Sequence, residues 1–218
     1  MNPKDLKYPF KWENRLPLLK GGIFYVPSFY KCHRAHLFPS WEVVFGNAFP
    51  VNIEYCSGNG EWIVNKAQEN PNENWVAVEH NFSRVKKIFS KRENLGLKNL
   101  FIVSGDAFTF TCEYIKKGSV AAAFVNFPDP WPKKRHAKHR LIQKPFIKEI
   151  RRVFQKEGCL TLVTDSADYS AQMKEVVDLS EAFKWAKYSN TDNYGSSYFK
   201  RLWSSLGRSI YFLHCKSV

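Results

Sequence analysis

Short apolar runs recur along the chain with stretches of helical period between most of them, and few sequence patterns restrict a fold more. The runs at 51–56, 75–78, 100–103, 120–125 and 159–164 have the length of strands, and 209–215 closes the series. Residues 61–68, 82–95, 145–156 and 168–186 read as helices. Within 82–95, Phe82, Val85, Ile88 and Phe89 share one helical face, and Gly96 stands where a helix-ending glycine belongs. Strands joined through helices pair in parallel, and the crossovers cover both faces of the sheet. The expected fold is therefore α/β and Rossmann-like, a mostly parallel twisted sheet with helices on both faces. The 218 residues suffice for one large domain, placed at 41–218. Residues 1–40 are rich in Pro, aromatics and Lys without a clear period, and are expected to form an irregular basic arm.

In such a sheet ligands bind beyond the carboxyl ends of the strands, so polar residues found there share a destination. Gly58-Asn59-Gly60 lies between a strand and a helix, where glycine permits a tight turn and close approach of backbone to ligand. Glu79 ends the next strand, and a carboxylate there can accept from both hydroxyls of a ribose. An acid ahead of a helix also suits the helix dipole, so Glu79 alone decides nothing. A dinucleotide fingerprint has a third glycine at its sixth position, which here is Ile63. With no phosphate cradle, a nucleoside cofactor without phosphates fits better, and S-adenosylmethionine is the expected one. Glu54, in the strand before the loop, is placed to hold its α-ammonium group. Asp106, after the third strand, is placed to hydrogen-bond the adenine edge.

The run 120–125 delivers Asn126-Phe127-Pro128-Asp129-Pro130-Trp131-Pro132-Lys133-Lys134-Arg135-His136. Each proline fixes its own φ and pushes the residue before it toward extended geometry, so Asp129 is expected on a stiff loop. A rigid carboxylate beside an indole suits a planar polar ligand such as a nucleobase. Trp131 either stacks on that base or anchors the loop in the core, and both readings stay open. Lys133, Lys134, Arg135, Lys138 and Arg140 suit the phosphates of a nucleic acid. Farther on, Phe146, Ile150 and Val153 mark one helix face, with Lys144, Lys148, Arg151 and Arg152 largely opposite as an RNA footprint or a solvated face. Arg84, Lys86, Lys87, Lys91 and Arg92 form a second basic helix, read as solvated. A net charge of +13, from 33 Lys and Arg against 20 Asp and Glu, predicts a polyanionic partner.

Phe45-Gly46-Asn47, Ile53-Glu54-x-x-Ser57-Gly58-x-Gly60-Glu61, Val78-Glu79, Gly105-Asp106-Ala107, the Asn126–His136 segment and Thr164-Asp165 together resemble the bacterial tRNA (guanine-46-N7)-methyltransferase family. The likeness is continuous over about 41–170. It implies a class I methyltransferase fold, S-adenosylmethionine as cofactor, tRNA as partner, and methyl transfer to N7 of guanine in the variable loop. It implies cofactor contacts from Glu54, Glu79, Asp106 and Asp129 around Gly58 and Gly60, and guanosine or tRNA contacts from Lys133 and Asp165. Two positions depart from the family pattern. Cys56 stands where glycine is usual, and a carboxyl-end box falls on Ser197-Tyr198-Phe199-Lys200, where Lys200 replaces an expected Glu. Ser197 keeps the box's hydroxyl as a substrate contact, and Lys200 suits a phosphate. Those departures favour the alternative reading, a non-catalytic RNA-binding protein on a vestigial methyltransferase fold. Guanine N7 has an in-plane lone pair and no proton, so its methylation needs no general base. Asp129 is the expected catalytic carboxylate, stabilising the charge that grows on the ring or orienting its N1–H and N2–H edge.

The five cysteines (Cys32, Cys56, Cys112, Cys159, Cys215) are scattered, with no two at metal-ligand spacing, so free thiols in the cytoplasm and no metal are expected. Met1-Asn2-Pro3-Lys4-Asp5 leads into mixed polar sequence rather than a signal peptide. No apolar run approaches the roughly 20 residues of a spanning helix, so no membrane is expected. Oligomeric state is left open.

Overall fold

Residues 5–10, 15–28, 30–186 and 194–218 are described by the structure, a computed structural model of the chain. The strands are β1 (Leu18–Lys20), β2 (Ile23–Tyr25), β3 (Val51–Tyr55), β4 (Asn74–Glu79), β5 (Leu100–Ser104), β6 (Val120–Asn126), β7 (Phe154–Thr164), β8 (Phe183–Trp185) and β9 (Tyr211–Ser217). The helices are α1 (Trp41–Phe45), α2 (Glu61–Glu69), α3 (Phe82–Leu95), α4 (Ala107–Tyr114), α5 (Lys144–Val153), α6 (Ala167–Asp178) and α7 (Tyr198–Ser205). All the strands belong to one sheet, ordered β1-β2-β5-β4-β3-β6-β7-β9-β8. The pairings from β2 through β7 are parallel, whereas β1, β8 and β9 join antiparallel.

Each central strand is buried on both sides because helices cover both faces. In β4, Val76 and Val78 enter the core built with Phe110 of α4, Ile150 of α5 and Met173 of α6, whereas Trp75 and Ala77 enter the one built with Ile63 of α2 and Ile88 of α3. Burying each such large side chain contributes about 1.5–3 kcal/mol, so the two cores fix the register of every central strand.

Several elements differ from the sequence reading, which also assigned nothing at α1 and α7. The first forty residues are irregular only in part, because β1 and β2 form a hairpin that extends the sheet beyond β5. Its two-residue turn is Gly21-Gly22, both at positive φ. Arg92 of α3 fastens that turn, donating from Nη1 to the Gly22 carbonyl at 2.7 Å and from Nη2 to that of Gly21 at 3.2 Å. Arg92 is therefore a buried staple rather than a solvated charge. Helix α4 replaces an expected connection. The expected helix at 168–186 ends at Asp178, and the edge strand β8 follows. Helix α5 stops at Val153, after which β7 starts earlier than expected at Phe154, with an irregular register near Val120. Among the described residues no helix is long and apolar enough to cross a membrane.

Candidate active site

β3 and β6 lie side by side at mid-sheet, and the connections leave them in opposite directions, which opens a crevice above their carboxyl ends. β3 feeds Cys56-Ser57-Gly58-Asn59-Gly60, in which Cys56, Gly58 and Gly60 have φ of 60°, 55° and 74°. A methyl group at Gly60 would lie 2.7 Å from Cγ1 of Ile88, so α3 packs on this turn only because no side chain is there. Gly60→Ala is expected to cost about 2–4 kcal/mol, from left-handed backbone strain of about 1–2 kcal/mol plus overpacking. Urea unfolding should show a lower midpoint at unchanged m-value, and an unaltered midpoint would refute the tight packing. Cys56 carries a side chain at the same kind of φ, a strain of about 1–2 kcal/mol held at the mouth of the site. Burial and the carboxylates of Glu79, Asp129, Glu54 and Asp106 push its thiol pKa up, so the sulfur stays protonated and a poor nucleophile.

Above the loop is a cleft of about 450 Å³, within the range of small-ligand sites. Its walls carry a carboxylate from beyond each of four strands: Glu79 from β4, Asp106 after β5, Asp129 after β6 and Asp165 after β7. Arg84 and Arg208 are the lining guanidinium groups. Walls so rich in acceptors suit hydroxyls, amines and cations, and oppose a pyrophosphate. Clefts of about 480 and 510 Å³ lie instead beside the amino ends of β3 and β5, lined by Val51 and Lys117 in one case and Leu100 and Arg92 in the other.

Glu79 ties the glycine loop to β4. Its Oε2 accepts from Gly58 N at 2.8 Å and its Oε1 from Asn81 N at 2.7 Å. Burial raises its pKa, and these two donors oppose the rise. A carboxylate has roughly four acceptor positions, so capacity remains for ribose hydroxyls. Asp106 caps α4 by accepting from Thr109 N at 2.7 Å and stays exposed at the cleft wall. Asp165 pairs with Arg208 at 2.5 Å, and the Arg208 guanidinium lies 4.1 Å from the ring centroid of Trp203. Trp203 and Arg208, both in the cleft wall, carried no signal in the sequence.

Asp129 is exposed on the loop after β6, and its carboxylate has no hydrogen bond from the described residues. The loop is not extended as its prolines predict. Phe127 and Trp131, each followed by proline, have φ of 49° and 43°. Two tertiary contacts override the local preference. Phe127 N still donates to the Val163 carbonyl at 2.9 Å, and the Trp131 ring packs 5.3 Å from that of His139. Trp131 is 38 % exposed, so it forms part of the rim and does not anchor the loop in the core.

Beneath the cleft is a second void of about 10 Å³, room for about one water-sized group, walled by Glu54, Cys56, Asn126 and Ser197 among others. Glu54 is 1 % exposed. Its Oε1 accepts from Asn126 Nδ2 at 2.7 Å, and its Oε2 is buried without a partner among the described residues. Burial raises its pKa to about 8, opposed by the side chains of Asn126 and Ser57 and reinforced by the charge of Glu79. Tyr194 OH donates to Asn126 Oδ1 at 2.5 Å and fixes the amide in the orientation that faces Glu54 with its donor. A buried carboxylate oxygen without a donor, beside a void of that size, fits an ammonium group.

The chain matches residues 48–213 to a family described as "Putative methyltransferase". It is 46% identical to the tRNA (guanine-N(7)-)-methyltransferase of Chlamydia felis over 214 residues, spanning 97% of this chain and 96% of that protein. The enzyme of the same name from Geobacter metallireducens is 33% identical over 183 residues, covering 82% of this chain and 87% of its own. The chain belongs to the tRNA (guanine-N(7)-)-methyltransferase family. Its fold is similar to that of 16S rRNA methyltransferase KamB, with a TM-score of 0.60 at 15% identity over 84% of this chain and 95% of that one. The antibiotic-resistance methyltransferase Kmr is also similar, with a TM-score of 0.57 at 16% identity over 81% and 91%. The sheet and helices are those of a class I methyltransferase.

Several of the cations and hydroxyls singled out in the sequence lie outside the cleft wall. Lys133 is exposed just before the short 3-10 turn Lys134–His139 and is not part of the cleft wall. Ser197 lines the lower void, and its hydroxyl caps α7 by accepting from Lys200 N at 3.1 Å. Lys200 does not reach out for a phosphate, because its Nζ donates to the Gly195 carbonyl at 3.2 Å and sits over the Phe212 ring. Arg140 and Arg152 do not belong to an RNA footprint. Arg152 donates to the carbonyls of Thr111 and Ile115 and pairs with Glu149, fastening α5 to α4, and Arg140 is buried.

Proposed function

We propose that this chain methylates N7 of the guanine at position 46 in the variable loop of tRNA, using S-adenosylmethionine. The observation that carries the cofactor reading is the partnerless Oε2 of Glu54 beside an ammonium-sized void, continuous in its walls with a carboxylate-lined cleft. The substrate reading comes from the relatives' name and from the net charge of +13.

When bound, S-adenosylmethionine supplies an electrophilic sulfonium methyl group. Glu54 takes its ammonium, Glu79 its ribose hydroxyls through the same carboxylate that holds Gly58, and Asp106 the adenine edge. Asp129 faces the guanine from the end of β6. It would lower the barrier by matching the positive charge that the base gains as N7 takes the methyl group and the methyl–sulfur bond breaks to leave a neutral thioether, a charge the base lacks in the ground state. Nothing in the cleft needs to remove a proton. Asp165 accepts from the guanine edge, and Lys133 meets the RNA backbone outside the cleft. The reading as a non-catalytic RNA-binding relic is not favoured, since Cys56 fits the loop at positive φ and the Glu54 void is intact. With tRNA as substrate, the protein works in the cytoplasm.

Glu79→Ala is expected to weaken S-adenosylmethionine binding about 10–100-fold, through loss of charged hydrogen bonds and of the Gly58 tether. Calorimetry reads it directly, and an unchanged Kd would remove Glu79 from the cofactor site. The substrate reading is tested with unmodified tRNA transcripts and labelled cofactor. Label is expected to enter the wild-type transcript and not one whose variable-loop guanine is replaced by adenine; equal labelling of both would refute that position.

A further inference from the structure

We propose that Arg140 is a positioning residue for this reaction, clamping the loop that carries Asp129 and keying it to α6. The role rests on the reading of Asp129 given above. Prolines 128, 130 and 132 have no N–H to offer, and among the described residues one hydrogen bond ties the 128–132 segment to the rest of the protein. That bond runs from Arg140 Nε to the Pro130 carbonyl at 2.7 Å, one residue from Asp129.

Arg140 is 5 % exposed, although it ends a run of cations that are mostly exposed. Its other two nitrogens and its face are also engaged. Nη2 donates to Asp168 Oδ2 at 2.5 Å, Nη1 donates to Gln172 Oε1 at 2.7 Å, and the guanidinium lies 4.9 Å from the Tyr169 ring centroid. Asp168, Tyr169 and Gln172 all sit on α6, the helix that follows Asp165. Tyr169 OH accepts from Ile142 N at 3.0 Å, so the chain is held on both sides of Leu141. Arg140 thereby sets the Asp129 loop against the helix that succeeds the second substrate carboxylate. The loop needs such a clamp, because Phe127 and Trp131 flank Asp129 at positive φ and would relax if released. The carbonyl, the amide and the carboxylate meet three different nitrogens spread across a planar fork, a span that the single nitrogen of a lysine does not reproduce.

The test compares Arg140→Lys, Asp129→Asn and the double variant, reading kcat, KM for tRNA, S-adenosylmethionine Kd and Tm. Arg140→Lys is expected to lower kcat about 10–100-fold, the scale of a misplaced reacting group. Cofactor Kd should stay within about twofold, and in the Asp129→Asn background the same change should lower kcat less than about threefold further, since coupled sites are not additive. Should Arg140→Ala fold, added guanidinium ion is expected to restore part of its kcat, which a merely structural defect would not allow. Full kcat in Arg140→Lys would overturn the role. So would a loss confined to tRNA KM and its salt dependence, because that marks a phosphate contact. If Asp129→Asn is near wild type while Arg140→Lys is slow, the reading of Asp129 fails and the clamp acts on another group. If Asp129→Asn is slow and the two losses multiply in full, the reading of Asp129 stands and the clamp alone fails.

Discussion

Asp129→Asn is expected to lower kcat by about 10²–10³-fold, the cost of removing one group that the proposed mechanism aims at charge developing in the transition state. The substitution keeps the shape of the side chain and removes only its charge. Because Asp129 has no hydrogen bond from the described residues, its loss leaves no internal partner stranded, and the fold should be unaffected. The loop keeps its position through Arg140. Single-turnover rates at saturating cofactor and tRNA separate this effect from binding. A variant with near-wild-type turnover would remove Asp129 from the catalytic role.

Glu54→Gln is expected to have the second large effect, in opposite directions for binding and for stability. Taking away one partner of a buried ion pair costs about 3–5 kcal/mol, so S-adenosylmethionine should bind on the order of 10²–10³-fold more weakly. In the free protein the same carboxylate is a burden at neutral and higher pH. Its pKa rises from 4.5 to about 8 on burial, so the folded state keeps a proton that the unfolded chain gives up. The associated stability is fully present below about pH 4.5 and is lost as pH rises through about 8. Glu54→Gln removes that loss, so the variant should hold its midpoint between about pH 5 and 8 better than the wild type does. In the wild type at pH 7, cofactor binding should release a proton, visible as a calorimetric enthalpy that depends on the buffer. Unchanged affinity in the variant would exclude Glu54 from the ammonium site. An unchanged pH profile would exclude the protonated buried carboxylate.

What the sequence reveals follows from the range of the forces involved. β3, β4 and β5 and helices α2 and α3 are legible because each is written in local apolar period and glycine punctuation, and the strand-end rule then gathers Glu79, Asp106, Asp129 and Asp165 around one cleft. Helix α4 was missed because Phe108, Phe110 and the threonines between them alternate like a strand. The β1–β2 hairpin was missed because its strands are three residues long and held by Arg92, far along the chain. Arg92, Arg140 and Arg152 show the same limit: sequence supplies the charge, but whether solvent, a carbonyl or a carboxylate meets it depends on distant residues. Trp203 and Arg208 reach the cleft only because α7 lies over the glycine loop, where Phe199 would touch a methyl group at Gly58 at 3.1 Å. The positive φ of Phe127 and Trp131 runs against the local rule for residues before proline, and it occurs where the loop carries Asp129.

The most direct measurement is methyl transfer from labelled S-adenosylmethionine to unmodified tRNA, followed by chain scission selective for N7-methylguanosine. One cut in the variable loop, dependent on both enzyme and cofactor, is the expected result. Cleavage at another guanine would contradict the assigned position. An intact chain despite measurable cofactor binding would contradict the assigned chemistry.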